Sequence, residues 1–132
     1  MTYLLDANVM IALADDQHPH RRRCDAWFQT VDHFAVCPIT QGALVRYLVR
    51  AGQPVAVALA VLRRNAALSG FEFWRDDVSY ADADLGQVRG YRQVTDAYLV
   101  ELVRRHPGAK LATLDEAQAG LYPNEVYLIP EG

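Results

Sequence analysis

Apolar residues occur in short runs separated by polar turns, and the runs alternate between strand-like and helix-like patterns. Apolar runs of strand length cover residues 2–5, 34–37, 71–74, 110–113 and 126–129. Helical spacing of apolar positions predicts helices over residues 9–14, 18–30, 41–51, 54–68, 82–91 and 95–106. Strands separated by helices are typical of a parallel sheet with helices on both faces. The pattern therefore predicts an α/β fold with about five mainly parallel strands.

Caps and breakers mark the expected ends of these elements. Pro38 stops the second strand, and Thr40 is expected to cap the helix that follows it. Pro54 suits the first turn of the next helix, and Thr95 is a plausible cap for the helix that ends before Pro107. The chain has 132 residues, no internal repeat and no evident linker, so we expect a single domain over residues 1–132.

Composition narrows the class of protein only slightly. Hydrophobic content of 52% and charged content of 22% are those of an ordinary globular protein, and no apolar run has membrane length. The N-terminus has no pattern of a secretory signal, and Cys24 and Cys37 are expected to be reduced thiols near the core, which fits a cytoplasmic location. The net charge of −3 does not indicate nucleic-acid binding, but a metal and local arginine clusters reverse the sign of the potential where they lie.

Three aspartates follow or open predicted elements. Asp6 and Asp115 each end an apolar run, and Asp96 opens an amphipathic segment. In an open α/β sheet the carboxyl ends of the strands converge on one crevice. Carboxylates gathered there repel each other, and a hard cation relieves that repulsion. The spacing therefore predicts an oxygen-ligand metal site.

Other interpretations of the same residues remain open at this point. Each aspartate alone is compatible with a helix cap or with a favourable charge at a helix start. A phosphatase of the haloacid-dehalogenase type requires a second acid at position 8, which is Asn8, and a phosphotransfer receiver requires a lysine that ends a late strand, whereas Lys110 begins one. A phosphotransfer protein would form a stable aspartyl-phosphate at Asp6. His18 and His20 are interpreted as a polar turn because no third ligand lies at zinc-site spacing.

Four segments together are much more specific than any single acid. They are Leu4-Leu5-Asp6-Ala7-Asn8-Val9, Cys37-Pro38-Ile39-Thr40 with Val45-Arg46, Arg92-Gln93-Val94-Thr95-Asp96-Ala97-Tyr98-Leu99, and Leu111-Ala112-Thr113-Leu114-Asp115. In this combination the chain resembles a PIN domain, and in particular the VapC-type toxins of bacterial toxin–antitoxin pairs. The resemblance covers essentially the whole chain.

The resemblance implies a fold, an activity and partners. The fold is a three-layer α/β/α sandwich over residues 1–132, and the activity is that of an endoribonuclease dependent on Mg²⁺, with Mn²⁺ as the alternative. The implied partners are an RNA substrate, a cognate VapB-like antitoxin and a second copy of the chain, with no membrane. The implied metal ligands are Asp6, Asp96 and Asp115; the implied catalytic positions are these three and Gln41, with Asn8 and Thr113 in support. Arg46 is either a salt-bridging surface residue or a contact to phosphate.

One position departs from the family pattern. The family usually has a glutamate after the Thr of the Pro-x-Thr segment, and this chain has Gln41 there. An amide oxygen still ligates a cation, but one negative charge is lost. Asp82, Asp84 and Glu116 are the acids considered as substitutes. The alternative hypothesis is therefore a catalytically weak PIN-like protein that binds RNA or an antitoxin.

Overall fold

In the computed structural model, which describes residues 1–131, five strands form one parallel sheet. The strands are β1 (Thr2–Leu5), β2 (His33–Val36), β3 (Phe71–Phe73), β4 (Lys110–Thr113) and β5 (Val126–Leu128). Their order is β3-β2-β1-β4-β5, and every neighbouring pair is parallel. The first strand of the chain thus lies at the centre, with Leu4 opposite Ala35 on one side and Leu5 opposite Ala112 on the other.

Helices cover both faces of this sheet. They are α1 (Ala7–Ala14), α2 (Arg21–Phe28), α3 (Pro38–Arg50), α4 (Val55–Ala66), α5 (Val94–Arg104) and α6 (Glu116–Leu121). Leu4 belongs to an apolar cluster with α5, and its neighbour Leu5 belongs to a second cluster with α1 to α4, because successive strand residues point to opposite faces. The predicted three-layer α/β/α architecture is confirmed. No helix within residues 1–131 is long and apolar enough to cross a membrane.

The start of α3 differs from the prediction. The helix begins at Pro38, with Cys37 as the residue before it, and Thr40 is its third residue rather than its cap. The backbone N–H of Cys37 donates to Thr40 Oγ1 over 3.3 Å, so the hydroxyl completes the helix start from inside the first turn. Proline is tolerated at the first position of a helix because a backbone N–H there would have no acceptor within the helix.

Two other helix starts are also shifted by one or two residues. Pro54 directly precedes α4, which begins at Val55, and so does not lie within its first turn. Thr95 is the second residue of α5 and not its cap, because a single 3-10 turn over Tyr91–Gln93 leads straight into Val94.

The helix predicted over residues 82–91 is wrong. The chain forms isolated 3-10 turns at Tyr80–Asp82 and Tyr91–Gln93 with irregular structure between them. Short polar side chains bond to nearby backbone instead, since Ser79 Oγ accepts the N–H of Ala81 over 3.1 Å and Asp84 Oδ1 accepts that of Gly86 over 2.9 Å. The segment of residues 75–93 lies along α5 and covers it.

Candidate metal-dependent active site

Asp6 is held at the centre of the sheet by two hydrogen bonds. It caps α1 directly after β1, where its Oδ1 accepts the N–H of Ala7 over 2.7 Å. Its Oδ2 accepts the hydroxyl of Thr113 over 2.7 Å. The residue is only 7% exposed, and burial raises the pKa of its carboxyl group, against the lowering effect of these two bonds and with a further rise from the charge of Asp115. The carboxylate of Asp6 is therefore fixed in position, and a cation beside it would stabilise its charged form.

Thr113, the last residue of β4, connects the carboxylates to each other. Its hydroxyl donates to Asp6 and accepts from Asn8 Nδ2 over 3.1 Å and from the N–H of Asp115 over 3.1 Å. Asn8 Oδ1 in turn accepts the N–H of Leu114 over 3.3 Å. The fully buried hydroxyl of Thr113 thus fixes the ends of β1 and β4 in one arrangement.

Asp115 occupies the position after β4 that corresponds to Asp6 after β1. It caps α6, where its Oδ1 accepts the N–H groups of Ala117 and Gln118 over 2.9 and 3.2 Å. The side chain is half-buried. The aspartate therefore serves as a helix cap and at the same time presents a carboxylate to the end of the sheet.

Asp96 completes the group from the other side of the crevice. It is the third residue of α5, it is half-buried, and its carboxylate accepts no hydrogen bond from residues 1–131. Burial raises the pKa of Asp96 to about 6, and the charges of Asp6 and Asp115 add to the rise. This mutual influence means that the three aspartates lie within electrostatic reach of one another, as the sequence predicted for the carboxyl ends of the strands.

The three carboxylates do not form a closed cage of metal ligands. Across residues 1–131, no three His, Cys, Asp or Glu side chains lie close enough to enclose a metal ion. The ion pairs of the described chain lie elsewhere, so no cationic side chain neutralises the three aspartates. Mutually repelling carboxylates without a basic partner, one of them buried and two half-buried, fit a hard divalent cation that keeps several of its own waters.

Gln41 lies at the carboxyl end of β2, the strand next to β1. It is the fourth residue of α3, it is half-buried, and its side chain makes no hydrogen bond with residues 1–131. Arg46 is exposed on the same helix, and its guanidinium folds back until Nη1 is 3.5 Å from where a Cβ of Gly42 would lie. Arg46 forms no ion pair within the described chain, which leaves its charge available at this end of α3.

Two of the three acids considered as substitutes for the missing glutamate lie far from the site. The backbone N–H of Asp84 donates to Glu101 over 3.1 Å, and the carbonyl of Asp82 accepts from Arg105 over 3.5 Å. At 1.5 Å of rise per residue, these contacts lie roughly 7–14 Å along α5 from Asp96. Only Glu116, the exposed first residue of α6, stays beside the site.

Gln118 is a residue that the sequence did not single out. It is buried, and neither its Nε2 nor its Oε1 has a hydrogen-bond partner within residues 1–131. Its backbone N–H donates to Asp115, so it belongs to the turn that fixes this aspartate. A glutamine between alanines gives no signal in a hydrophobicity pattern.

The histidine and cysteine residues lie as the sequence predicted. The rings of His18 and His20 are 5.8 Å apart in the turn between α1 and α2, where the N–H of His20 donates to His18 Nδ1 over 3.1 Å. Cys24 and Cys37 are free and buried. Burial raises the pKa of the Cys24 thiol to about 11 and also raises that of Cys37, so both remain protonated at neutral pH.

Comparison with known proteins gives one family. The model of the PIN domain matches residues 3–122. Ribonuclease VapC29 of Mycobacterium tuberculosis is 49% identical over 131 residues, which are 98% of each chain. Ribonuclease VapC38 of the same species is 41% identical over 119 residues, covering 85% of this chain and 84% of the relative. Ribonuclease VapC39 is 36% identical over 129 residues, covering 90% and 92%.

Proposed function

Because this chain belongs to the PIN-domain family, within its VapC-type ribonucleases, we propose that it is the endoribonuclease toxin of a VapBC-type toxin–antitoxin pair. The reaction is hydrolysis of RNA phosphodiester bonds. The observation that carries the proposal is the gathering of Asp6, Asp96 and Asp115 without a basic partner: burial first, and the neighbouring carboxylate charges in addition, raise the pKa of Asp6 and Asp96. Capping a helix does not require that three carboxylates lie close enough to repel one another.

The three aspartates would hold Mg²⁺, with Mn²⁺ as the alternative. A bound divalent cation polarises a phosphoryl oxygen and lowers the pKa of an attacking water. The residues of the chain supply orientation: Thr113 and the N–H of Ala7 fix the carboxylate of Asp6, and the N–H groups of α6 fix that of Asp115. Asp96 has no such restraint and is free to turn toward a cation. Hydrogen bonds to the ligating side chains, such as those to Asp6 and Asp115, typically hold metal ligands in place.

The test is cleavage of RNA by the purified protein in Mn²⁺, in Mg²⁺ and in chelator. We expect cleavage only with metal, and its loss in Asp96→Asn, which keeps the shape of the side chain but removes the charge. Asp84→Asn is the matched control, because Asp84 is an exposed acid near the other end of α5. Undiminished cleavage by Asp96→Asn, with both variants folded, would contradict the site assignment.

A catalytically weak protein that binds RNA or an antitoxin remains the second candidate, and Gln41 is the observation that favours it. A neutral amide in place of the family's acid would weaken the binding of a second cation before that of the first, because only the three aspartates then carry negative charge. The same assay separates the candidates. The weak-enzyme hypothesis requires that Gln41→Glu cleaves RNA much faster than the wild type in the same metal.

We propose that the homodimer contact lies on α4. Leu44 and Leu48 of α3 are buried within the protomer, and the hydroxyl of Tyr47 donates to Asp15 over 2.7 Å, so these residues do not face a partner. In α3, in α4 and in the turn after α4, the large apolar side chains that are exposed are Val49, Val55, Val57, Leu59 and Leu68. On α4 itself only Ala58 is buried. An apolar helix this exposed is typical of a partner surface.

The antitoxin partner is supported by a cleft of about 640 Å³ that α1, α2, α3 and α4 enclose. Its floor is apolar, with Leu5, Met10 and Phe34, and its rim carries Asp16 and Arg64. A floor and rim of this kind suit an amphipathic segment of another chain. The first protein to test is the product of the gene immediately upstream, by binding to the purified toxin.

A further inference from the structure

Tyr91 is an aromatic side chain that the fold leaves in solvent. It is 81% exposed, more than any other large hydrophobic residue described. Most aromatic rings of this chain pack against another ring, as Tyr80 does on Tyr98 at 4.4 Å between centroids, but Tyr91 contacts no ring within residues 1–131. An exposed ring that contributes nothing to the core points to a partner outside the protomer.

The ring of Tyr91 contacts Arg92 and is carried by a hydrogen-bonded turn. Arg92 Nε donates to the Tyr91 hydroxyl over 3.2 Å, and its guanidinium carbon lies 5.6 Å from the ring centroid. The 3-10 turn that carries both residues is closed by a bond from the N–H of Gln93 to the carbonyl of Gly90 over 3.0 Å. The side chain of Gln93 also accepts the N–H of Arg89 over 2.7 Å. The ring is therefore attached to an ordered turn and not to a loose loop.

This turn lies at the mouth of the site. It continues directly into α5, so Tyr91 precedes Asp96 by five positions, roughly 8–10 Å along the chain at helical rises. Because α5 leads back from β3 to the parallel strand β4, it starts at the carboxyl edge of the sheet, where Asp6 and Asp115 also lie. An occupant stacked on Tyr91 would be beside the three carboxylates.

The charges around Tyr91 favour an anionic occupant. Arg89 and Arg92 are exposed and form no ion pair within residues 1–131, whereas Arg104 and Arg105 near the other end of α5 are both paired with Glu101. The residues on either side of Tyr91 in the chain, Arg89, Gly90, Arg92 and Gln93, are polar or lack a side chain, so they add no apolar surface beside the ring for a protein partner to cover. A lone ring among unpaired arginines suits an unpaired base and its phosphates.

We infer that Tyr91, with Arg92 over its ring, is a stacking platform for an unpaired base of the RNA substrate and positions the strand beside the three aspartates. The inference rests on the proposed ribonuclease function and adds a preference for single-stranded RNA. Stacking on an aromatic ring does not depend on which base is stacked. The platform therefore contributes affinity and position, while sequence preference comes from other contacts.

The experiment measures RNA binding in Asp96→Asn protein, where cleavage does not interfere, by fluorescence anisotropy of an end-labelled single-stranded RNA in chelator. Removing a base–aromatic stack costs about 5- to 100-fold in affinity, so Tyr91→Ala should bind that much more weakly. Tyr91→Phe keeps the ring and should bind as the parent does, and Tyr91→Leu should resemble Tyr91→Ala. Leu121→Ala, which removes an exposed apolar side chain at the far end of α6, is the control and should leave binding unchanged.

An RNA with abasic sites separates stacking from charge. On that RNA, Tyr91→Ala and the parent should bind alike, because no base remains to stack. Equal binding of the parent and Tyr91→Ala to ordinary single-stranded RNA overturns the platform, and so does full affinity in Tyr91→Leu. In the active protein, Tyr91→Ala should raise KM and leave kcat near the wild-type value.

The outcomes distinguish failure of the platform from failure of the function. If the wild type cleaves RNA and Tyr91→Ala changes neither binding nor KM, only the platform is wrong. If the wild type binds RNA through Tyr91 but never cleaves it in either metal, only the nuclease assignment is wrong. Absence of RNA binding by the parent overturns both. Loss of antitoxin binding in Tyr91→Ala, with RNA affinity unchanged, assigns the ring to a protein partner and overturns the inference.

Discussion

A single hydroxyl, that of Thr113, links three of the polar residues at the site. It donates to Asp6 and accepts from Asn8 and from the backbone of Asp115. Valine has nearly the same shape as threonine but no hydroxyl. Thr113→Val therefore leaves Asp6, Asn8 and the N–H of Asp115 without this hydrogen-bond partner at a buried position. We expect it to reduce the free energy of unfolding by about 1–3 kcal/mol, the cost of buried polar groups that lose a hydrogen bond.

Denaturant unfolding in chelator measures this change. Thr113→Ser is the matched control, because it keeps the hydroxyl and loses only a methyl group, and it should cost about 1 kcal/mol. RNA cleavage should fall in the valine variant and persist in the serine variant. Equal stability of the two variants would mean that the hydroxyl does not organise the site.

Gln41 tests the charge balance of the site directly. Restoring an acid by Gln41→Glu should tighten Mg²⁺ binding and raise the melting temperature in Mg²⁺, since each tenfold gain in affinity adds about 1.4 kcal/mol at saturating metal. In chelator the new carboxylate should be neutral or destabilising, because it joins three like charges. The change in melting temperature therefore differs in sign between the two buffers.

Gln29→Glu serves as the control for the added charge, since Gln29 is exposed just after α2. It should shift the melting temperature equally in Mg²⁺ and in chelator. The same equal shift in Gln41→Glu would show that position 41 does not face the metal.

Among the elements, the junction of β2 and β3 depends most visibly on a glycine. Gly70 has φ +81°, and a Cβ on it would lie 1.9 Å from the carbonyl oxygen of Asp32. The carbonyl of Gly70 also accepts the N–H of Phe34 over 3.0 Å, so the segments around Asp32 and Gly70 are already in contact. Gly70→Ala must separate them, and we expect a loss of about 3 kcal/mol or more in stability.

Gly52→Ala separates this clash from backbone strain alone. Gly52 has φ +93°, but nothing lies within 4 Å of where its Cβ would be. It should cost about 1–2 kcal/mol, the usual penalty for a left-handed residue with a side chain. Thermal unfolding of both variants gives the comparison, and similar losses would exclude the contact with Asp32 as the cause.

Hydrophobic periodicity correctly predicted the five strands, and five of the six helices that it predicted are present. These elements bury one side in the core, and burial of one side is what produces a periodic pattern of apolar residues. The prediction failed at residues 82–91, where Val88 and Leu85 pack on α5 from an irregular chain and Asp84 bonds to local backbone. Helix starts were displaced because side-chain bonds such as that of Thr40 set them, and these depend on geometry.

The proximity of Asp6, Asp96 and Asp115 was predictable because the carboxyl ends of parallel strands converge, which follows from topology. The burial of Gln118 and the distance of Asp82 and Asp84 from Asp96 were not predictable, because both depend on how the segment of residues 75–93 and α6 lie against the sheet.

For the molecule as a whole, α4 is the surface with the clearest consequence. Val55 and Leu59 are exposed on α4 and do not line the cleft that α4 shares with α1, α2 and α3. We expect Leu59→Glu to convert a dimer into a monomer, because it places a charge in an apolar contact. Light scattering at micromolar concentration measures the mass.

Ala117→Glu, a charge on the exposed surface of α6, should leave the dimer intact. A monomer mass for the wild type under these conditions would count against the dimer itself. Dissociation by both variants would indicate a general effect of charge and not an interface on α4.

The central position of β1 has a consequence for how the protein is made. Synthesis produces β1 well before β4, yet the two strands pair, and the hydroxyl of Thr113 reaches Asp6 across 107 positions of sequence. Contacts so distant in sequence form late, and the ribosome delivers the chain from its N-terminus. A nascent chain that has not yet reached Asp115 holds only part of the acidic group, so the three aspartates are brought together only after β4 has been synthesised.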